Sequence, residues 1–260
     1  MSEEVKTIAK SAARFTEMDG FRVFQKGTAE NIVTSADIAI QHFLERELCA
    51  LLPGSGFFGE ESEPGNTDNK LCWIVDPIDG TQNFARNLGQ SGISIALRDG
   101  DEVALGIVYN PFLKELYWAE KGMGAFLNGR PIRVASDRTF KEGILCTALS
   151  LYNKKYAPVC HEIIIDAYMK CNDIRRFGAC SLELCYLAAG RVDLYFEYRL
   201  SPWDYAAASL ILTEAGGTIG SFPEDKVSLA HPCTVIAANN AENYKALKDI
   251  VGAHVQIHPF

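Results

Sequence analysis

Over residues 36–52, Ile38, Ile40, Phe43, Leu44, Leu48 and Leu51 recur at helical spacing, while Glu45, Arg46 and Glu47 lie opposite them. A similar pattern covers 3–18, and Pro53-Gly54 ends the second helix. Between the two, Gln25 to Asn31 is polar and contains Gly27, which predicts a mobile loop. Short apolar runs at 71–75, 91–97, 103–109 and 115–119 follow, divided by Asp99-Gly100 and Asn110-Pro111. They read as strands of a meander. Asn128-Gly129 predicts a tight hairpin.

After about residue 138 the pattern shifts to strand–helix alternation. Helices are expected at 155–171, 181–189, 204–215 and 241–251, with strands at 192–196 and 235–237. The organisation is therefore two halves, 1–138 and 139–260, and the fold class is α/β with an antiparallel-rich first half, two abutting layers. No internal repeat is visible.

Composition narrows the function. The 260 residues carry a formal net charge of -8, which argues against a nucleic-acid binder and against docking on an anionic membrane. Surplus carboxylates can also mark a cation site. The eight cysteines are irregularly spaced without a Cys-x-x-Cys pair, several among apolar neighbours as in Leu71-Cys72-Trp73. The first residues lack a signal pattern and no run of 18 apolar residues occurs, so a reduced, cytoplasmic setting is expected.

The informative segment is Trp73-Ile74-Val75-Asp76-Pro77-Ile78-Asp79-Gly80-Thr81. An apolar strand runs into Asp76, and Pro77 interrupts regular ladder pairing. Asp79 follows, and Gly80-Thr81 opens a short helix. Two carboxylates and the Ile78 carbonyl thus share one turn beside helix-start N–H groups. Oxygen donors suit Mg²⁺ or Mn²⁺, whereas zinc prefers His or Cys. A helix start seats phosphate. The same residues also make an ordinary strand-to-turn connection. Glu60-Glu61 after Phe57-Phe58 alone reads as a solvated turn, and Asp204 in Pro202-Trp203-Asp204 alone reads as a first-turn acid completing the helix dipole.

Gly59-Glu60-Glu61-Ser62, Asp76-Pro77-Ile78-Asp79-Gly80-Thr81 and Trp203-Asp204, in this order and separation, resemble the inositol monophosphatase family of Mg²⁺-dependent, lithium-sensitive phosphatases. The likeness runs from the Lys26–Asp37 segment to Glu214-Ala215-Gly216-Gly217. It includes the Gly-rich stretch 121–129, which lacks the Lys-Ser/Thr ending of a P-loop and reads as a hairpin. The resemblance implies a five-layer αβαβα sandwich, shared with fructose 1,6-bisphosphatases, and a homodimer. It implies that Glu60, Asp76 and the Ile78 carbonyl hold one Mg²⁺, that Asp76, Asp79 and Asp204 hold a second, and that a weaker third sits near Glu60. Gly80 and Thr81 would bind phosphate through N–H groups, and Thr81 with Asp37 would orient the attacking water. The loop from Lys26 to Asn31 is expected to close over the metals.

The resemblance leaves the small-molecule phosphate ester more open. Glu197 matches a position that touches inositol hydroxyls, and is otherwise a charge at a strand end. Cys180 stands where a small residue such as Ala is commoner, close to the path of the polyol. Ser150-Leu151 departs from a hydroxyl-rich segment of some relatives. Gln82, where Lys is common in bisphosphonucleotide phosphatases, disfavours that substrate. The expectation is hydrolysis of myo-inositol 1-phosphate, with histidinol phosphate as the alternative and a regulatory binding partner as the reading from another class. His254 and His258 are spaced i,i+4, without an acidic partner pattern that would favour zinc; His42, His161 and His231 are expected in solvent.

Overall fold

The computed structural model describes residues 1–17, 20–27, 31–62, 69–149 and 153–255. The first amphipathic stretch folds as α1 (Ser2–Ala12) and tightens into a 3-10 turn over Ala13–Glu17. A two-stranded ribbon, β1 (Val23–Gln25) with β2 (Ile32–Thr34), leads into α2 (Ser35–Leu51). The inward face of α2 differs from the one its apolar spacing predicts. Ile38 is exposed, whereas Asp37 and Gln41 are buried. Both polar groups have partners there: Asp37 accepts from the Thr34 N–H at 2.9 Å, and Gln41 accepts from the Glu61 N–H at 2.7 Å.

The meander becomes a seven-stranded sheet in chain order: β3 (Gly56–Gly59), β4 (Leu71–Asp79), β5 (Gly92–Asp99), β6 (Glu102–Asn110), β7 (Glu115–Glu120), β8 (Ala125–Leu127) and β9 (Arg130–Ile132). A five-residue helix, α3 (Thr81–Ala85), interrupts it after β4. Strands β3 and β4 run parallel; the other neighbours are antiparallel. Asn128 and Gly129 both take positive φ, as a two-residue hairpin requires. The Gly-rich stretch before them is fastened by Glu214, whose carboxylate accepts the Gly122 and Gly124 N–H groups at 2.8 Å each.

The second half builds a five-stranded sheet, ordered β11-β10-β12-β14-β13. Its elements are β10 (Ile144–Thr147), α4 (Ala157–Tyr168), β11 (Asp173–Arg175), α5 (Cys180–Ala188), β12 (Leu194–Leu200), α6 (Pro202–Glu214), β13 (Thr218–Gly220), β14 (Cys233–Ala238) and α7 (Ala241–Val255). Strand residues alternate between two cores, as a period of two dictates: Tyr195 and Ala237 face α5 and α6, while Phe196 and Ile236 face α4 and α7. On the far side, α1 and α2 cover the first sheet through Val5, Ala9, Ile40 and Leu44 against Trp73 and Ile95. The layers are helices, sheet, helices, sheet, helices.

The middle layer sits close. A Cβ at Gly106 of β6 would lie 2.4 Å from the Ala207 carbonyl of α6. Gly106→Ala is therefore expected to destabilise by about 1–3 kcal/mol through overpacking. A thermal melt reads this, and an unchanged melting temperature would mean that α6 can move away without loss.

Candidate active site

Parallel β3 and β4 end side by side, which brings Glu60 to Asp76: the Glu60 N–H donates to the Val75 carbonyl at 3.1 Å. Pro77 has no N–H, and the β4–β5 register shifts between Asp76 and Asp79 instead of ending at Asp76. Within that bulge the Ile78 N–H donates to Asp76 Oδ1 at 3.0 Å. Gly80 then turns with φ 82°, and a Cβ there would meet the Gln90 carbonyl at 2.9 Å. Thr81 opens α3, its hydroxyl 3.0 Å from the Ile78 carbonyl and 3.2 Å from Asp37 Oδ1.

Asp204 arrives from the other half of the chain. It caps α6: the Ser201 N–H donates to Asp204 Oδ2 at 2.7 Å. The helix start is fixed by Trp203, which packs edge-on against Phe58 of β3 with ring centroids 5.1 Å apart. Asp37 caps α2 in the same way. Asp79 caps α5 across the fold, accepting the Ser181 N–H at 2.7 Å and its hydroxyl at 2.5 Å on Oδ2. Three helix N-termini thus converge on three acids, each with one oxygen engaged in a cap.

Burial raises the proton affinity of this group, and the acids raise it further in one another. Asp76 is held well above the usual carboxylate range by burial and then by Glu60, Asp79, Asp204 and Asp37. Asp204 is raised by burial, Glu60 and Asp79. Burial pushes Asp79 up to about 7 against the Ser181 hydrogen bonds, and Asp37 up to about 6 against those from Thr34. Among the described residues no three Asp, Glu, His or Cys side chains form a ready-made metal cage. The acids are an open, all-oxygen set sharing one field. Such a set fits Mg²⁺, which retains several waters and binds through few carboxylates; it lacks the nitrogen or sulfur that zinc prefers.

Asp79, Gly80, Thr81, Cys180, Glu197 and Asp204 line one cleft of about 340 Å³, with Asp37, Glu60, Asp76 and Ile78 outside its lining. Glu197 is not a solvated strand-end charge. It is half-buried, accepts the Tyr195 hydroxyl at 2.9 Å, and is pushed up to about 7, chiefly by burial. The Cys180 thiol is buried in the wall. Arg176 also lines the cleft, whereas Arg175 is tied to Asp173 and to the Ile174 carbonyl.

Sequence reasoning gave no contact to Ser181, Asn83 or the Lys26 side chain. Ser181 binds Asp79. Asn83, two residues past the Asp76–Thr81 motif, donates to the Phe177 carbonyl at 2.6 Å and the Gln90 carbonyl at 2.8 Å, fastening α3 to the wall. Lys26 Nζ lies 3.1 Å from Glu60 Oε1 and also bonds Glu61; burial opposes its charge, and these two carboxylates more than offset that. The Lys26 N–H donates to the Asn31 carbonyl, while Thr28, Ala29 and Glu30 of the expected closing loop, Ser150-Leu151 and His258 lie outside the described residues. His254, expected without acidic partners, has Asp166 at 3.3 Å and Glu162 at 3.6 Å because α7 packs along α4. His42, His161 and His231 are exposed.

This geometry has relatives. A sequence model of the inositol monophosphatase family matches residues 2–257. The chain is 38% identical over 247 residues to a Caulobacter vibrioides protein named inositol-1-monophosphatase, covering 92% of this chain and 94% of that one. It is 37% identical over 212 residues to Escherichia coli Nus factor SuhB, covering 81% and 79%. Among solved structures, the Thermotoga maritima IMPase superposes with a TM-score of 0.87 at 28% identity, covering 98% of both chains. The chain belongs to the inositol monophosphatase family.

Proposed function

We propose that this protein is a Mg²⁺-dependent phosphomonoesterase acting on a small polyol phosphate, myo-inositol 1-phosphate, with two to three ions and Mn²⁺ as a substitute. The observation that carries the reading is that Glu60 and Asp79 raise the proton affinity of buried Asp76 and Asp204 beside a cleft that Asp79 and Asp204 line. Two like charges about 4 Å apart repel by roughly 4 kcal/mol at an effective dielectric of 20, so the set calls for cations. Glu60, Asp76 and the Ile78 carbonyl would hold one ion, and Asp76, Asp79 and Asp204 another. Bound Mg²⁺ supplies charge neutralisation on the phosphate and a lowered water pKa.

The protein's own groups supply the rest. The Thr81 hydroxyl can donate a hydrogen bond to Asp37 Oδ1 and accept one from water, orienting it for attack; Thr34 holds the other Asp37 oxygen. The Gly80 and Thr81 N–H groups suit the ester phosphate. Glu197, steadied by Tyr195, can accept hydrogen bonds from the alcohol. Lithium inhibition and a homodimer belong to the same reading. So does a cytoplasmic setting, supported by eight unpaired cysteines; among the described residues no helix is long and apolar enough to cross a membrane.

Phosphate release with Mg²⁺ across inositol 1-phosphate, histidinol phosphate, fructose 1,6-bisphosphate and 3′-phosphoadenosine 5′-phosphate tests this. Inositol 1-phosphate is expected to react fastest, and preference for histidinol phosphate would overturn the substrate. The likeness to a protein named Nus factor SuhB favours a second reading, a regulatory binding partner. No release from any of the four esters would select it.

A further inference from the structure

We propose that Ser181 is a positioning residue for Asp79: it occupies one carboxylate oxygen and thereby fixes the other as the single oxygen offered to a cation. The assignment rests on the metal-dependent reading above. Ser181 is fully buried in the first turn of α5. Its N–H and hydroxyl both end on Asp79 Oδ2, at 2.7 and 2.5 Å. Among the described residues the hydroxyl has no bond within its own helix, the usual use of a helical serine. The residue before α5, Ala179, offers no side-chain cap, so an acid 102 residues earlier in the chain takes that place.

The consequence is geometric. A carboxylate free to rotate can present either oxygen or both, and Mg²⁺ tolerates only near-octahedral placement. The Cys180 N–H also donates to this carboxylate; the two Ser181 donors on Oδ2 set its plane and turn Oδ1 toward the ion. Partners that orient a ligand in this way are worth about 10–100-fold in metal affinity. Because the Ser181 N–H survives side-chain truncation, Ser181→Ala is expected near the lower end, about tenfold.

Mn²⁺ titration followed by electron paramagnetic resonance, without substrate, separates this role from a structural one. The first binding step, assigned to Glu60, Asp76 and Ile78, is expected to stay at its wild-type affinity in Ser181→Ala. The second, which uses Asp79, is expected to weaken about tenfold, with the metal-free melting temperature little changed. Ser181→Cys replaces the hydroxyl with a slightly larger, weaker donor, so it should weaken the same step by less than Ser181→Ala. Unchanged affinities in both variants would overturn the proposal. So would both steps weakening together with a lower melting temperature, which marks a packing role. Absence of Mn²⁺ binding to the unaltered protein would instead overturn the phosphatase reading on which the assignment rests.

Discussion

Asp79→Asn is expected to reduce turnover by about a thousandfold or more while the protein stays folded. The substitution keeps the cap on α5, because an amide oxygen can accept the same Ser181 N–H and hydroxyl bonds that end on Asp79 Oδ2. The amide nitrogen then faces the side where Oδ1 stood. It presents hydrogens where a cation needs a lone pair, and the negative charge is gone. Stability moves the other way. Asp79 is buried beside Glu60, and both raise the proton affinity of Asp76 and Asp204. Removing one like charge relieves repulsion that no cation offsets in metal-free protein. The variant should melt at or above the wild-type temperature in EDTA at pH 8. Phosphate release and a thermal melt on the same preparation check both halves. Wild-type turnover would remove Asp79 from the chemistry; an unfolded variant would mean that the fold itself needs the carboxylate, since the α5 cap is kept.

The contrast between Asp79 and Ser181 shows why the site was only partly legible in the sequence. Asp76, Asp79, Gly80 and Thr81 lie in one short segment whose Pro and Gly announce a break in a strand, so local chemistry is enough to flag them. Glu60 and Asp204 each sit at the end of an apolar run, where a turn or a cap is an equally good reading; only their combination with the Asp76 segment separated function from punctuation. Ser181 leaves no such mark. Its partner is 102 residues away, and a serine inside an apolar helix has the same pattern whether it binds its own backbone or a distant acid. Asn83 fails for the same reason, with a partner 94 residues away. On α2 the apolar period placed Ile38 inward, yet Asp37 and Gln41 are buried, because two satisfied polar groups outcompete one isoleucine for the face toward the site. Periodicity reports average burial and is blind to a buried polar residue with a remote partner. Strands β10, β11 and β13 escaped because three or four residues are too few to show a period.

Metal-free protein is expected to lose stability as pH rises from 5 to 8, with Asp37 and Asp79 alone contributing roughly 4 kcal/mol, or about 10 °C in melting temperature. The unfolded chain titrates its acids near 4. In the folded chain burial, with a contribution from Glu60, holds Asp37 at about 6 and Asp79 at about 7. Between those limits the folded state binds more protons than the unfolded state, so each unit of rising pH costs up to roughly 1.4 kcal/mol per group. Asp76 and Asp204 shift in the same direction, as does Glu61, raised to about 7 by burial and by Glu60. Thermal melts in EDTA across this range measure the slope, and a flat profile would show that the acids do not share one field. Mg²⁺ sharpens the test, because cations and protons compete for the same oxygens. At pH 8 Asp37 and Asp79 are ionised and Mg²⁺ should restore most of the lost stability. At pH 5 Asp37 and Asp79 already hold protons, and the same Mg²⁺ should add little. Stabilisation by Mg²⁺ that was equal at both pH values would place its binding elsewhere on the protein.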